Sequence, residues 1–218
     1  VEEGRSIYQS IKKVILYLFS TSIGEVMAIS TALFLGMPLP ILPSQIIWLN
    51  FVTDGFLVVT LGMEPKEEGL LKNKFKKPSK YILDPGMVSR MIFMGLIIAL
   101  GSVFVFAQYL EGEITKAFTM SLTTLAIFQW FNAWNVKSET KSVFALNPFR
   151  NMPLVFATLI VIALQLFAVY HPFMQQYLHT VPLAPRDWFY AAGIASSVLF
   201  LEELRKVFAR GFYSKTVL

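Results

Sequence analysis

Six long apolar stretches dominate this sequence and restrict what it can fold into. Each has roughly the length, ~20 residues, that an α-helix needs to cross about 30 Å of hydrocarbon. They cover approximately residues 14–36, 41–62, 87–110, 117–136, 152–170 and 188–208. We therefore predict an all-α, polytopic membrane protein with six transmembrane helices in a single transmembrane domain, residues 1–218. A second apolar stretch follows the first directly, so we do not interpret the first as a cleaved signal peptide.

The composition agrees with surroundings that are mostly lipid. Hydrophobic residues make up 55% of the 218 residues and charged residues 15%, against about 45–50% and 25% in soluble domains. The chain has no cysteine, which excludes a thiolate metal site, a thiol nucleophile and a disulfide framework. The net charge of +5 would suit nucleic-acid binding, but the positions of the charges argue against that partner.

Lysine and arginine are distributed unevenly between the two sides of the predicted helices. All but two of the 19 lie near the termini or in and beside two loops at about residues 63–86 and 137–151; the exceptions are Lys116 and Arg186. The positive-inside rule then places both termini and both basic loops in the cytoplasm. The basic run at residues 72–80 borders a membrane end, so we interpret it as a loop near anionic lipid.

Two acidic residues, Glu25 and Asp54, fall inside the apolar stretches. Glu25 lies about three helical turns, or roughly 18 Å, beyond Lys13, which places it near mid-bilayer. Asp54 lies at a similar depth in the second stretch. Because a carboxylate in lipid costs several kcal/mol, such residues usually mark an ion path or a proton relay. The alternative is a neutral carboxyl group that serves only packing. The presence of two acids on one Pro-rich hairpin makes that alternative less attractive.

Neutral oxygen atoms accompany both acids. Ser22 precedes Glu25 by one helical turn, and Asn50 and Thr53 precede Asp54 with spacings that put all three on one helix face. Carboxylate, amide and hydroxyl oxygens together suit a hard cation such as calcium, magnesium, manganese or sodium. The sequence therefore predicts a cation site between the first two helices.

Two further residues complete this prediction. Gly55 directly follows Asp54 and weakens the helix there, so we predict that the second helix is unwound near Asp54 and that its carbonyls help to bind the cation. Gln129 is the deepest amide of the fourth stretch and can add an oxygen to the same cavity. Hydrogen bonding between helices is the alternative role for Gln129.

The sequence lacks the motifs of common hydrolytic sites. It contains no GxxxxGK[ST] loop, no HExxH and no GxSxG. The loops are also too short to fold into a nucleotide-binding domain. We therefore expect no catalysis by this chain alone.

Several motifs resemble the P-type cation-transporting ATPases, most closely the calcium pumps of the sarcoplasmic reticulum type. SIGEV around Glu25 is followed by a Pro-rich turn and by WLNFVTDG at 48–55. The opening VEEGR, the FNAWNVKSET stretch at 131–140 and EELRK at 202–206 extend the likeness over essentially the whole chain. The resemblance implies the carboxy-terminal half of the transport domain, the last six of ten helices. The missing amino-terminal half would hold the first four helices and the domains that bind ATP and magnesium.

The resemblance also implies a set of cation ligands. Carried over by position, these are Glu25, Asn50, Thr53 and Asp54, with Ser22 and Gln129 as further candidates. Ser22 stands where the sarcoplasmic reticulum pumps have Asn, and Gln129 stands where they have Glu. Because both changes weaken one of the two calcium sites of those pumps, the resemblance is compatible with one calcium per cycle or with another cation.

We thus expect the ion-binding half of a P-type ATPase that moves a cation, with calcium as the first candidate. Proton countertransport is expected, because carboxylates that release a cation need a proton or a counter-cation. Two alternatives remain at this point: a stand-alone secondary cation transporter or channel, and a membrane scaffold derived from a pump that no longer transports.

Overall fold

The computed structural model describes residues 2–64, 82–138 and 141–215. All regular structure in these ranges is helical, which confirms the all-α prediction. The α-helices are α1 (Glu2–Phe34), α2 (Pro43–Trp48), α3 (Gly55–Gly62), α4 (Pro85–Leu110), α5 (Ile114–Asn135), α6 (Met152–Tyr170), α7 (Pro172–Leu178), α8 (Pro185–Ala195) and α9 (Ser197–Lys215). A π-helix at Leu49–Asp54 joins α2 to α3, and short 3₁₀ turns occupy Val143–Ala145 and Pro148–Arg150.

Apart from the short α7, the described helices form six units that correspond to the six apolar stretches. The second unit consists of α2, the π-helix and α3, and the sixth consists of α8 and α9 with a break at Ser196. Four of the units are long and apolar enough to cross a membrane, and they are Ser6–Phe34, Pro43–Gly62, Pro85–Leu110 and Met152–Tyr170. The α5 unit and the unit of α8 and α9 are not among these four. Ser, Thr, Gln and Asn side chains interrupt the apolar sequence of α5, and charged side chains interrupt that of α9.

Helix α5 lies at the centre of the bundle. It contacts α1, α3, α4, α6, α8 and α9, and it is buried over nearly its whole length. A helix that is enclosed on all sides shows no amphipathic pattern. Its polar side chains therefore point into protein, where other helices can supply hydrogen-bond partners.

Helices α1 and α4 pack closely at two glycines. A Cβ atom at Gly24 would lie 2.7 Å from Cγ2 of Ile98, and one at Gly95 would lie 2.6 Å from Cγ2 of Ile23. Small residues permit such close approach between membrane helices. Since Gly24 immediately precedes Glu25, this contact also fixes where the Glu25 carboxylate sits in the bundle.

Asp84 connects the beginning of α4 to α1. Its Oδ1 accepts a hydrogen bond from the backbone N–H of Met87 at 2.9 Å, which caps α4. Its Oδ2 lies 2.7 Å from Nζ of Lys12 on α1. The hydrogen bond from Lys12 lowers the pKa of the Asp84 carboxyl below its ordinary value.

The two loops predicted to be basic meet at their ends. Most of the first loop, including the basic run at 72–80, lies outside the described residues. At its start, Glu64 accepts a hydrogen bond from Nδ2 of Asn151 and lies 3.8 Å from Nζ of Lys137. Burial lowers the pKa of Lys137, and the nearby Glu64 opposes that effect. These contacts join the end of α3 to the end of α5 and to the beginning of α6.

Candidate cation-binding site

Glu25 lies in the interior of the bundle and is hydrogen bonded from two other helical units. It is buried, with 5% of its surface exposed. Its Oε1 accepts a hydrogen bond from Nε2 of Gln129 on α5 at 2.8 Å. Its Oε2 lies 3.5 Å from Nδ2 of Asn50 in the π-helix. The carboxylate predicted from sequence therefore faces two of the amides predicted to accompany it.

Asp54 is the last residue of the π-helix and is as deeply buried as Glu25, with 2% of its surface exposed. Its Oδ1 accepts a hydrogen bond from the hydroxyl of Tyr17 on α1 at 2.6 Å. Its Oδ2 lies 3.5 Å from the hydroxyl of Thr21, one turn further along α1. Helix α1 thus carries one carboxylate itself and supplies the hydrogen-bond donors for the other.

The backbone around Asp54 departs from α-helical geometry in a different way from the one we predicted. Residues Leu49–Asp54 form a π-helix, and the backbone stays helical at Asp54 (φ −67°, ψ −40°) and at Gly55 (φ −55°, ψ −51°). In a π-turn the hydrogen bond spans five residues instead of four, so the turn is wider; such insertions occur often at functional sites. The helix is therefore widened before Gly55 rather than unwound at it.

The other predicted ligands divide into buried and exposed residues. Thr53 and Gln129 are buried beside the two acids. Ser22 and Asn50 are exposed in the described part of the chain. Ser22 therefore does not share the buried side of α1 with Glu25, although it precedes Glu25 by one helical turn. Asn50 donates to the backbone carbonyl of Ile46 at 3.0 Å as well as lying near Glu25.

Gln129 brings an oxygen to this region that has no protein partner. Its Nε2 is used by Glu25, whereas its Oε1 is buried and without a hydrogen-bond partner among the described residues. Buried amide oxygens are normally hydrogen bonded, so an exception calls for a physical explanation. The described ranges contain no cluster of three or more His, Cys, Asp or Glu side chains placed to hold a metal ion. A cation here would thus be held by two carboxylates together with neutral oxygens.

Sequence reasoning missed two residues that contact this region. Tyr17 and Thr21 precede Glu25 by two turns and one turn of α1, so positions i, i+4 and i+8 form one stripe that the sequence displays. On α5, Asn132 donates from Nδ2 to the hydroxyl of Ser20 at 2.8 Å. Its Oδ1 is buried without a partner in the described residues, as is Oε1 of Gln129.

Comparison with known proteins identifies the family of this chain. Residues 38–208 match the family model described as cation transporting ATPase, C-terminus. A calcium-transporting ATPase of Bacillus subtilis is 36% identical over 205 residues, which cover 92% of this chain and 23% of that protein. The mouse calcium-transporting ATPase type 2C member 1 is 32% identical over 208 residues, covering 94% and 23%. A calcium-transporting ATPase of Plasmodium falciparum is 29% identical over 255 residues, covering 96% and 21%.

The matches cover most of this chain but only a small part of each relative. The chain spans less than a quarter of the length of these relatives, while the family model covers most of the chain. Its long apolar helices agree with an integral membrane protein. The chain therefore belongs to the cation-transporting P-type ATPases, of which it represents the C-terminal membrane region.

Proposed function

We propose that this chain is the ion-binding half of the transport domain of a P-type ATPase that moves calcium across a membrane. The observation that carries the proposal is the pair of buried carboxylates, Glu25 and Asp54, on two adjacent helical units. A buried carboxylate in a membrane protein is expensive and usually functional. The names of the relatives support calcium as the cargo, and an all-oxygen donor set agrees with it.

The proposed cation ligands are those predicted from the sequence. They are Glu25, Asn50, Thr53 and Asp54, with Ser22 and Gln129 as additional oxygen donors. Ser22 and Asn50 are exposed in the described residues, so we propose that helices outside this chain cover them in the intact pump. In the same proposal the π-helix opens further when the ion binds, because a widened turn needs less rearrangement to release its carbonyls than a regular α-helix does.

The remaining parts of the pump are proposed partners. We propose that the six helical units are six membrane spans and correspond to the last six of ten, so that four helices and the cytoplasmic domains precede them. ATP and magnesium would bind to those domains. The bias of Lys and Arg supports a cytoplasmic position for both termini and for the loops at 63–86 and 137–151.

The mechanism follows from the position of the carboxylates. Phosphorylation elsewhere would rock the helices against each other and open the cavity around Glu25 and Asp54 first to one side and then to the other. Tyr17 on α1 holds the Asp54 carboxylate between these states, and Gln129 on α5 holds that of Glu25. After release of the cation, protons or counter-cations would balance the two buried charges.

The proposal is tested by charge-removing variants in the intact pump. We expect Asp54→Asn to abolish calcium-dependent transport and Glu25→Gln to weaken it strongly, because each removes a full charge from the site. Ser22→Ala is the matched control within α1 and should have a much smaller effect, because it removes only one neutral oxygen. Transport by Asp54→Asn at the wild-type rate and calcium affinity would show that the cation path lies elsewhere.

A further inference from the structure

Tyr17 is a fully buried hydroxyl donor that points at a proposed cation ligand. The side chain is 0% exposed, and its hydroxyl lies 2.6 Å from Oδ1 of Asp54. That distance falls within the range of about 2.5–2.7 Å that is typical of a hydroxyl bonded to a carboxylate. A bond of this kind fixes the rotation of the carboxylate plane as well as its position.

The backbone of Tyr17 is itself held in place. Its carbonyl accepts a hydrogen bond from the hydroxyl of Ser20 at 2.9 Å, and Ser20 in turn accepts one from Asn132 on α5 at 2.8 Å. The ring packs in the main apolar core. Tyr17 is therefore a rigid donor, whose hydroxyl has little freedom to follow Asp54 if the carboxylate turns.

The two oxygens of Asp54 are bound unequally. Oδ1 is held by Tyr17, whereas the only hydroxyl near Oδ2 in the described residues is that of Thr21, at 3.5 Å. The Thr21 hydroxyl also lies 3.1 Å from the carbonyl of Tyr17 and 3.0 Å from that of Leu18. Since one hydroxyl proton serves one acceptor well, Thr21 is satisfied within its own helix. Oδ2 is thus the oxygen with the weaker protein contact and the more available one for another partner.

We infer that Tyr17 is a positioning residue that keeps Oδ1 of Asp54 occupied, so that Asp54 offers the transported cation a single oxygen, Oδ2. This inference rests on the proposed function. Its consequence concerns selectivity. Calcium accepts carboxylates through one or both oxygens in flexible spheres of about six to eight ligands. Manganese(II) prefers octahedral oxygen sets, in which the narrow bite of a two-oxygen carboxylate fits poorly. An Asp54 that binds through a single oxygen therefore favours calcium over manganese less than a freely rotating Asp54 would.

The test is Tyr17→Phe in the intact pump, which removes the hydroxyl and keeps the ring. Freed from its donor, Asp54 can bind through both oxygens. We expect the ratio of the apparent affinity for calcium to that for manganese to rise about fivefold or more. A merely structural loss would lower both affinities together and leave the ratio unchanged. Tyr8→Phe, on the same helix and remote from Asp54, is the control and should leave the ratio as in the wild type.

A measurement on the unmodified pump provides a second test. The infrared difference spectrum between calcium-bound and calcium-free pump reports the separation of the two carboxylate stretching bands, which differs between one-oxygen and two-oxygen binding. We expect the one-oxygen pattern for the calcium-dependent band that shifts when the aspartate carboxyl groups of the pump carry carbon-13, because Asp54 is the aspartate among the proposed ligands whereas Glu25 is unlabelled. A two-oxygen pattern in the wild type, or an unchanged affinity ratio in Tyr17→Phe, would overturn the inference. If the wild type binds neither cation, the proposed function itself fails.

Discussion

Gln129 on α5 donates a hydrogen bond from Nε2 to Oε1 of Glu25 on α1 over 2.8 Å, while its own Oε1 has no partner in the described residues. The same amide thus holds a proposed cation ligand and carries an unused acceptor. That combination fits a side chain that contributes an oxygen once a cation arrives.

Replacing this amide should weaken cation binding. We expect Gln129→Leu to lower the calcium affinity of transport about tenfold, because hydrogen bonds to charged groups contribute about 1.5–3 kcal/mol and 1.4 kcal/mol corresponds to a factor of ten. Gln165→Leu is the matched control. Gln165 is equally buried but bonds to Trp48 and Thr123 instead of an acid. Equal losses of affinity in both variants would show that Gln129 acts through packing alone.

The glycine contact between α1 and α4 gives a prediction about stability. A Cβ at Gly95 would meet Ile23 at 2.6 Å, so Gly95→Ala should destabilise the protein by about 1–3 kcal/mol through overpacking. Gly193→Ala makes the same change in α8, where no atom lies within 4 Å of the added Cβ, and should be neutral or stabilising. Thermal unfolding in detergent compares the two. A Gly95→Ala protein as stable as Gly193→Ala would mean that the helices separate without cost.

The helices were largely predictable because their main signal is length. Each predicted stretch contains a helical unit, and Glu25 and Asp54 are buried as a pattern of isolated acids in apolar sequence suggested. The π-helix was not predictable, because its wider turn comes from a shift in the backbone hydrogen-bond pattern that no residue type indicates. Which of Ser22 and Thr21 is buried together with Glu25 was not predictable either. Both lie about one turn from Glu25, and only the packing of neighbouring helices decides which side is buried.

The proposed topology predicts which loops are accessible from each side. These 218 residues contain no cysteine, so background labelling can come only from the rest of the pump, and the parent protein measures it. We expect a cysteine at Glu111, an exposed position between α4 and α5, to react with an impermeant reagent added on the non-cytoplasmic side. A cysteine at Lys141, also exposed, should react only after the membrane is permeabilised. The reverse pattern would invert the orientation.

A buried ion pair between α4 and α9 yields the last prediction. Nη2 of Arg90 lies 2.6 Å from Oε1 of Glu202, and the two side chains are 6% and 0% exposed. Arg205 also bonds to Glu202 at 2.8 Å, but its side chain is 29% exposed. Removing one partner of a buried pair leaves an uncompensated charge, so Glu202→Gln should cost about 3–5 kcal/mol of unfolding free energy. Arg205→Met should cost less than about 1 kcal/mol, because Arg205 is partly solvated and Arg90 still balances the charge of Glu202.

A double-variant cycle separates these contributions. In the Arg90→Met background no buried guanidinium remains to be stranded, so Glu202→Gln should cost at least about 1 kcal/mol less than in the wild type, within the coupling range of contacting charges. Chemical denaturation of the four proteins in detergent measures the difference. Additive costs would show that the two charges do not stabilise each other. In that case the link between α4 and α9 would rest on the hydrogen bonds to backbone carbonyls, from Arg90 to Asn135 and from the Asn135 side chain to Val198.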